Sequence, residues 1–132
     1  MIVDASALLA ILKQERDASL FAEAIERDPD CRISVINYVE AAIVLDRDPD
    51  PAVGRSLDSL RDRAGLVLAP VDETQARLAR EAYRDFGKGS GHRAGLNFGD
   101  CFAYALAKAT GEPLLFKGDD FNHTDVGRAL SE

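Results

Sequence analysis

The sequence predicts an α/β protein, a three-layer α/β/α sandwich with a central parallel sheet of four to five strands. Two observations lead there. Short apolar, β-prone runs alternate along the chain with segments of helical period, and that alternation implies a parallel sheet covered on both faces. The 132 residues, 46% of them apolar, hold no internal repeat, low-complexity tract or linker, so residues 1–132 are expected to form a single domain. A chain of this length buries about two-thirds of its unfolded surface.

The first strand is expected over residues 1–3, ending at Asp4. Residues 5–12 are apolar all round and read as a buried helix. Residues 17–27 place Leu20, Phe21, Ala24 and Ile25 at helical period, until Asp28-Pro29-Asp30 breaks the run. A second strand covers residues 32–34. Residues 37–46 read as a helix with apolar Val39, Ala42 and Ile43 and little polar surface. Asp48-Pro49-Asp50-Pro51 is a turn, and residues 52–64 form an amphipathic helix with Val53, Leu57 and Leu60 on one face. The third strand, expected at the centre of the sheet, covers 66–69, and another amphipathic helix covers 73–86. A glycine-rich loop follows. Residues 99–110 form a helix closed by Gly111, the residue suited to a left-handed C-terminal turn. Residues 113–116 make the fourth strand, and 119–130 a short irregular or helical tail.

Three acidic residues stand alone in stretches otherwise free of charge. Asp4 is the only charged residue over 1–12, Glu40 over 33–45 and Asp100 over 94–107. A buried, unpaired carboxylate is costly, so each needs a partner or a task. Each has an ordinary structural reading. Asp4 and Asp100 would cap the helices they begin, Glu40 would be a first-turn acid favoured by the helix dipole, and Asp119-Asp120 would be a solvated turn. Capping does not explain why three lone acids all lie in apolar stretches near strand ends. In parallel α/β sheets, ligands bind beyond the carboxyl ends of the strands. Asp4 follows the first strand, Asp119 and Asp120 follow the fourth, and Glu40 and Asp100 are placed in the first turns of helices, so all converge on one edge.

Composition limits the partners. No apolar run approaches the roughly 20 residues of a membrane span. The N-terminal stretch lacks a basic region and carries Asp4 inside its apolar part, so no secretion signal is expected. Cys31 and Cys101 have neither metal-ligand spacing nor a disulfide framework, which suits a reducing cytoplasm. The net charge of −7 opposes general nucleic-acid binding. A local basic patch remains available in the loop Gly87-Lys88-Gly89-Ser90-Gly91-His92-Arg93, with Arg77, Arg80 and Arg84 before it at helical spacing. The plainer reading pairs those arginines with Glu73, Glu81 and Asp85 on a solvated helix.

Carboxylates gathered without cations repel one another and tend to hold protons at neutral pH. Mg²⁺ or Mn²⁺ relieves the repulsion, polarises a phosphate oxygen and activates a water, so the acids point to a metal-dependent phosphodiesterase. Mg²⁺ keeps several waters and takes one or two protein carboxylates, leaving the other acids to orient water or bind a second ion. No Ser-His-Asp or Cys-His constellation competes, and neither G-x-x-x-x-G-K-[ST] nor G-x-G-x-x-G is present.

Four pieces carry a family resemblance: I-V-D-A-S-A-L at the N-terminus, V-E-A-A-I-V around Glu40, G-K-G-x-G-H-R-A-G-L-N-F-G-D-C-F-A-Y-A-L-A around Asp100, and L-L-F-K-G-D-D-F-x-H-T-D near the end. In this order, and over essentially the whole chain, they resemble PIN-domain ribonucleases, specifically the VapC toxins of type II toxin–antitoxin pairs. The resemblance implies a PIN-like α/β/α fold, usually dimeric, with an acidic pocket for Mg²⁺ or Mn²⁺. It implies cleavage of RNA, often tRNA or rRNA, that halts translation, and a cognate VapB-type antitoxin whose C-terminal segment covers the pocket. By position, Asp4 and Asp100 match the principal metal ligands and Glu40 the third acid. The motif supplies both Asp119 and Asp120 for the fourth, and the family's G-x-D-F pattern favours Asp120. Ser6, Asn37 and Thr124 are supporting polar groups by position, and Lys88, His92, Arg93 and Lys117 are candidate phosphate contacts. A dimer pooling two basic loops would reconcile the acidic chain with an RNA substrate.

Two other readings remain. A phosphorylation-controlled receiver-like domain would also be a parallel α/β unit with Lys117 after the fourth strand, but it wants an acid pair after the first strand and a lone Asp after the third. A catalytically silent PIN-like module acting through its partner is the other, against which the full set of acids stands.

Overall fold

The computed structural model describes residues 1–130, so the last two positions of the expected domain lie outside the described residues. Its elements follow in the order β1 (Ile2–Val3), α1 (Ala5–Leu12), α2 (Ala18–Arg27), β2 (Arg32–Ser34), α3 (Val35–Asp46), α4 (Pro51–Ala64), β3 (Val67–Ala69), α5 (Glu73–Phe86), α6 (Phe98–Thr110) and β4 (Leu114–Leu115), then a 3₁₀ turn at Asp120–His123. The strands form one parallel sheet in the order β3-β2-β1-β4. Ile2 pairs with Leu114 and Val3 with Leu115 on one side of β1, and Ile2 pairs with Arg32 on the other.

The pleat sends neighbouring residues to opposite layers. Val3, Ile33 and Leu115 join a core with Leu8, Phe21, Leu45 and Leu57, from α1, α2, α3 and α4. Ile2, Ala69 and Leu114 join a second core with Ala79, Ala103, Leu106 and Phe121, largely from α5 and α6. This is the expected three-layer arrangement. The fifth strand is reduced to a single parallel bridge, in which the tail at Arg128 pairs with Leu114 beyond the β4 edge.

Several expectations are corrected. The third strand is an edge strand, not a central one, and Val67 is accordingly 54% exposed. The helix carrying Glu40 starts at Val35, two residues before the expected start, because the Ser34 hydroxyl accepts from the Ile36 N–H at 3.3 Å and caps it. Its β-branched opening disguised it as loop. Val39 and Ile43, expected as part of the apolar body of that helix, lie on its outer face, and Asn37, Ala41 and Leu45 are the buried set. Pro51 is the first residue of α4 rather than part of the turn, and Asp50 caps it by accepting from the Ala52 N–H at 3.0 Å. Among the described residues no helix is long and apolar enough to cross a membrane.

Candidate active site

The sheet order reverses at β1: β2 and β3 lie to one side and β4 to the other. The carboxyl ends of β1 and β4 thus flank the crevice where open α/β sheets bind ligands. Asp4 leaves β1 straight into this crevice and is 4% exposed. It caps α1, accepting from the Ser6 N–H at 3.1 Å and from the Ser6 hydroxyl at 2.6 Å. Ser6 in turn accepts from the Lys117 N–H at 2.9 Å, tying the exit of β4 to Asp4. Burial pushes the Asp4 carboxyl above its ordinary range, against the Ser6 hydrogen bonds, and the charge of Glu40 pushes the same way.

Asp100 is the third residue of α6, not its cap. Asn97 is the cap: its Oδ1 accepts from the Asp100 N–H at 2.9 Å, while the Asp100 carboxylate accepts from the Asn97 N–H at 3.0 Å. This is a reciprocal capping box, with Asn and Asp in place of the usual Ser/Thr and Glu/Gln. The sequence signal was present, since Asn97 precedes Asp100 by three residues. Burial raises the Asp100 carboxyl to about 6; the Asn97 bond and Lys88 oppose this, and Asp4 and Asp120 add to it.

Glu40 lies in the second turn of α3 rather than the first, so the helix-dipole reading no longer applies to its own helix. Half-buried, it reaches towards α6. Its Oε1 accepts from Asn37 Nδ2 at 2.7 Å, and the same amide donates to the Gly99 carbonyl at 2.9 Å. The carboxylate lies so close over Gly99 that a Cβ there would overlap it. Burial raises the Glu40 carboxyl; the Asn37 bond lowers it and Asp100 raises it. Asp4, Glu40, Asp100 and Asp120 therefore form an electrostatic chain.

The two neighbouring acids after β4 part company. Asp119 accepts from Asn122 Nδ2 at 2.7 Å and lies 3.3 Å from His123 Nε2, contacts that hold its carboxyl below the usual range. Asp120 is the one whose charge Asp100 feels. Thr124 is taken up locally, donating to the Phe121 carbonyl at 2.7 Å.

The basic candidates also separate. Lys88 stands close enough to Asp100 to favour its ionised form. His92 packs edge-on against Phe86 at 5.0 Å and accepts from the Ala94 N–H, so its ring organises the loop. Arg93 is exposed in the same loop. The Lys117 ammonium is engaged by Glu15 at 2.6 Å and Asp17 at 3.0 Å. On α5, Arg77 pairs with Glu73 and Arg84 with Asp85, largely the solvated-helix reading.

The donor set suits a hard cation. Every candidate ligand is oxygen, and the buried Asn37 Oδ1 has no hydrogen-bond partner among the described residues. Among those residues no three His, Cys, Asp or Glu side chains close around a common point. Cys31 and Cys101 are buried free thiols, raised to about 11 chiefly by desolvation.

Comparison with known proteins finds near-full-length relatives. Ribonuclease VapC28 of Mycobacterium tuberculosis is 57% identical over 130 residues, covering 98% of both chains. Ribonuclease VapC42 of the same species is 52% identical over 131 residues, covering 99% of this chain and 100% of its own. Ribonuclease VapC of Mycolicibacterium smegmatis is 52% identical over 126 residues, covering 96% of this chain and 97% of its own. Among solved structures, Mycobacterium tuberculosis VapC20, described as a sarcin-ricin loop cleaving toxin, superposes with a TM-score of 0.74 over 95% of each chain at 15% identity, a likeness of fold. The PIN domain family model matches residues 1–127, and the chain belongs to the PIN domain family.

Proposed function

We propose that this chain is the toxin of a type II toxin–antitoxin pair, an endoribonuclease that hydrolyses phosphodiester bonds in RNA and so inhibits translation. The observation that carries the reading is the convergence of Asp4, Glu40, Asp100 and Asp120 at the β1/β4 crevice, with the first three raised above their ordinary pKa range. Groups so perturbed in a cleft are candidates for chemistry. Near-full-length relatives named ribonucleases support the same activity.

In this reading Asp4 and Asp100 hold Mg²⁺, with Mn²⁺ as the alternative, directly or through water. The ion supplies Lewis-acid polarisation of a phosphate oxygen and a more acidic water. Glu40, fixed by Asn37, orients the attacking water from the α3 side. Asp120 faces Asp100 from the β4 side and orients a water or a second ion. Ser6 fixes Asp4 by donating to its carboxylate. Lys88 and Arg93 contact backbone phosphates. The partners are RNA, a VapB-type antitoxin and a second copy of the chain, in the cytoplasm.

The test is cleavage of total bacterial RNA by purified protein with Mg²⁺, with Mn²⁺ and with EDTA, beside Asp100→Asn. Discrete fragments that require metal and vanish in the variant support the reading. Metal-independent fragments, or identical fragments from both proteins, refute it.

A further inference from the structure

Asp4 is fixed as the cap of α1 and Asp100 by the capping box it completes with Asn97, whereas Glu40 must cross from the second turn of α3 to the first turn of α6. Two contacts hold it there. The fully buried Asn37 amide donates both to Glu40 and to the Gly99 carbonyl, lashing the carboxylate to α6. The carboxylate then rests on the bare α-carbon of Gly99, in space any side chain would occupy.

The glycine has no conformational reason to be there. It is the second residue of a helix and lies outside the positive-φ set. In a helix Ala is intrinsically favoured over Gly. Local propensity and the site therefore ask for opposite residues at position 99, and the overlap with Glu40 favours glycine.

We propose that Gly99 is a positioning residue for RNA hydrolysis: its bare backbone seats the Glu40 carboxylate, and Asn37 clasps it there. The inference deepens the ribonuclease reading and rests on it. Gly99→Ala displaces a flexible carboxylate and leaves the backbone in place, so it separates placement of Glu40 from stability of the fold.

The experiment is steady-state RNA cleavage, thermal melting and Mn²⁺ affinity of the full chain for Gly99→Ala, Glu40→Asp and the double variant. Gly99→Ala is expected to lower kcat on the order of 10- to 100-fold, the scale of a reacting group misplaced by about 1 Å. KM and Mn²⁺ affinity are expected to stay at wild-type values, with no fall in melting temperature. Glu40→Asp withdraws the carboxylate by one methylene and frees the seat, so adding Gly99→Ala to it is expected to cost little further, a non-additivity that marks direct contact.

Wild-type kcat in Gly99→Ala overturns the inference, as do effects that multiply in the double variant. Mn²⁺ affinity lost to the same degree as in Asp100→Asn also overturns it, because the change then acts through Asp100. A wild-type chain that cuts no RNA overturns the ribonuclease reading and this inference with it. If Gly99→Ala does not fold, Asn37→Ala tests the clasp by opening space instead of filling it: the same kcat loss, non-additive with Glu40→Asp, is expected, and wild-type cleavage overturns the inference.

Discussion

Replacing Asp100 by Asn should stabilise the metal-free protein while abolishing cleavage. Desolvation is the main cause of the rise of this carboxyl from 3.8 to about 6, and Asp4 and Asp120 reinforce it. The folded state thus holds the Asp100 proton more tightly than the unfolded chain does. The stability gained from that proton is complete below about pH 4 and is lost as pH rises through about 6. At about 1.36 kcal/mol per pH unit the ionised group costs at most about 3 kcal/mol at neutral pH, and water reaching a half-buried site screens this to roughly 1–2 kcal/mol. An Asn carbonyl can still accept from the Asn97 N–H, so the capping box survives. The lost charge at the start of α6 gives back about 0.3–1 kcal/mol. The net gain is about 0.5–1 kcal/mol, or roughly 2–5 °C in melting temperature for a domain of this size. Scanning calorimetry in EDTA near pH 7.5 and near pH 5 measures it. The gain should be largest at the higher pH and fall to roughly half near pH 5, where Asp100 is protonated in the fold but still ionised in the unfolded chain. An equal difference at both pH values, or a less stable variant near pH 7.5, would refute the desolvation account.

Other substitutions divide the site further. Asp120→Asn should lower cleavage by at least about tenfold, whereas Asp119→Asn should leave it near wild type, because Asp119 is occupied by Asn122 and His123; the reverse order in a cleavage assay rejects the assignment. Lys88→Ala with Arg93→Ala should weaken RNA binding and flatten the slope of log K against log salt by about 1–2, while Lys117→Met, whose ammonium is paired with Glu15 and Asp17, should leave the slope unchanged. A salt titration of RNA binding separates the two. Ser6→Ala removes the donor to Asp4 and leaves the Lys117 N–H without its acceptor, at a cost of about 1–3 kcal/mol in urea unfolding that Ser6→Thr should largely restore.

The fold was legible because its signals are local. Apolar runs, proline breaks and Gly111 are visible in the sequence, and α1, β2 and α5 fall at the expected bounds. What local signals do not encode was missed. The edge position of β3 depends on which strands pair, and the early start of α3 depends on a serine following two strand-like residues. Asp4, Glu40 and Asp100 could be picked out because a lone charge in an apolar stretch is conspicuous, and Asp119 and Asp120 because they follow the fourth strand. The split between Asp119 and Asp120 was favoured only by the family pattern, since physically it turns on which side chain finds Asn122 and His123. The task of Gly99 left no trace: it reads as the opening residue of a helix until Glu40, 59 positions earlier, is found lying on it.

The capping and functional readings of the acids turn out to describe one geometry. Asp4 caps α1, Asp100 completes the box on α6, and Glu40 lies against the first turn of that same helix. A helix start behaves as about half a positive charge, so α1 and α6 together offset about one of the four negative charges. Lys88, beside Asp100, offsets another in part. A surplus of about two to three negative charges remains, and its repulsion adds to the burial that is the main cause of the raised Asp4, Glu40 and Asp100 carboxyls. A divalent cation meets most of that surplus, whereas a monovalent ion or a protein cation would leave half or more of it unmet. The helix starts therefore both hold the acids in place and set how much charge is left for a metal to neutralise, which is why residues that look like ordinary caps can also carry the chemistry.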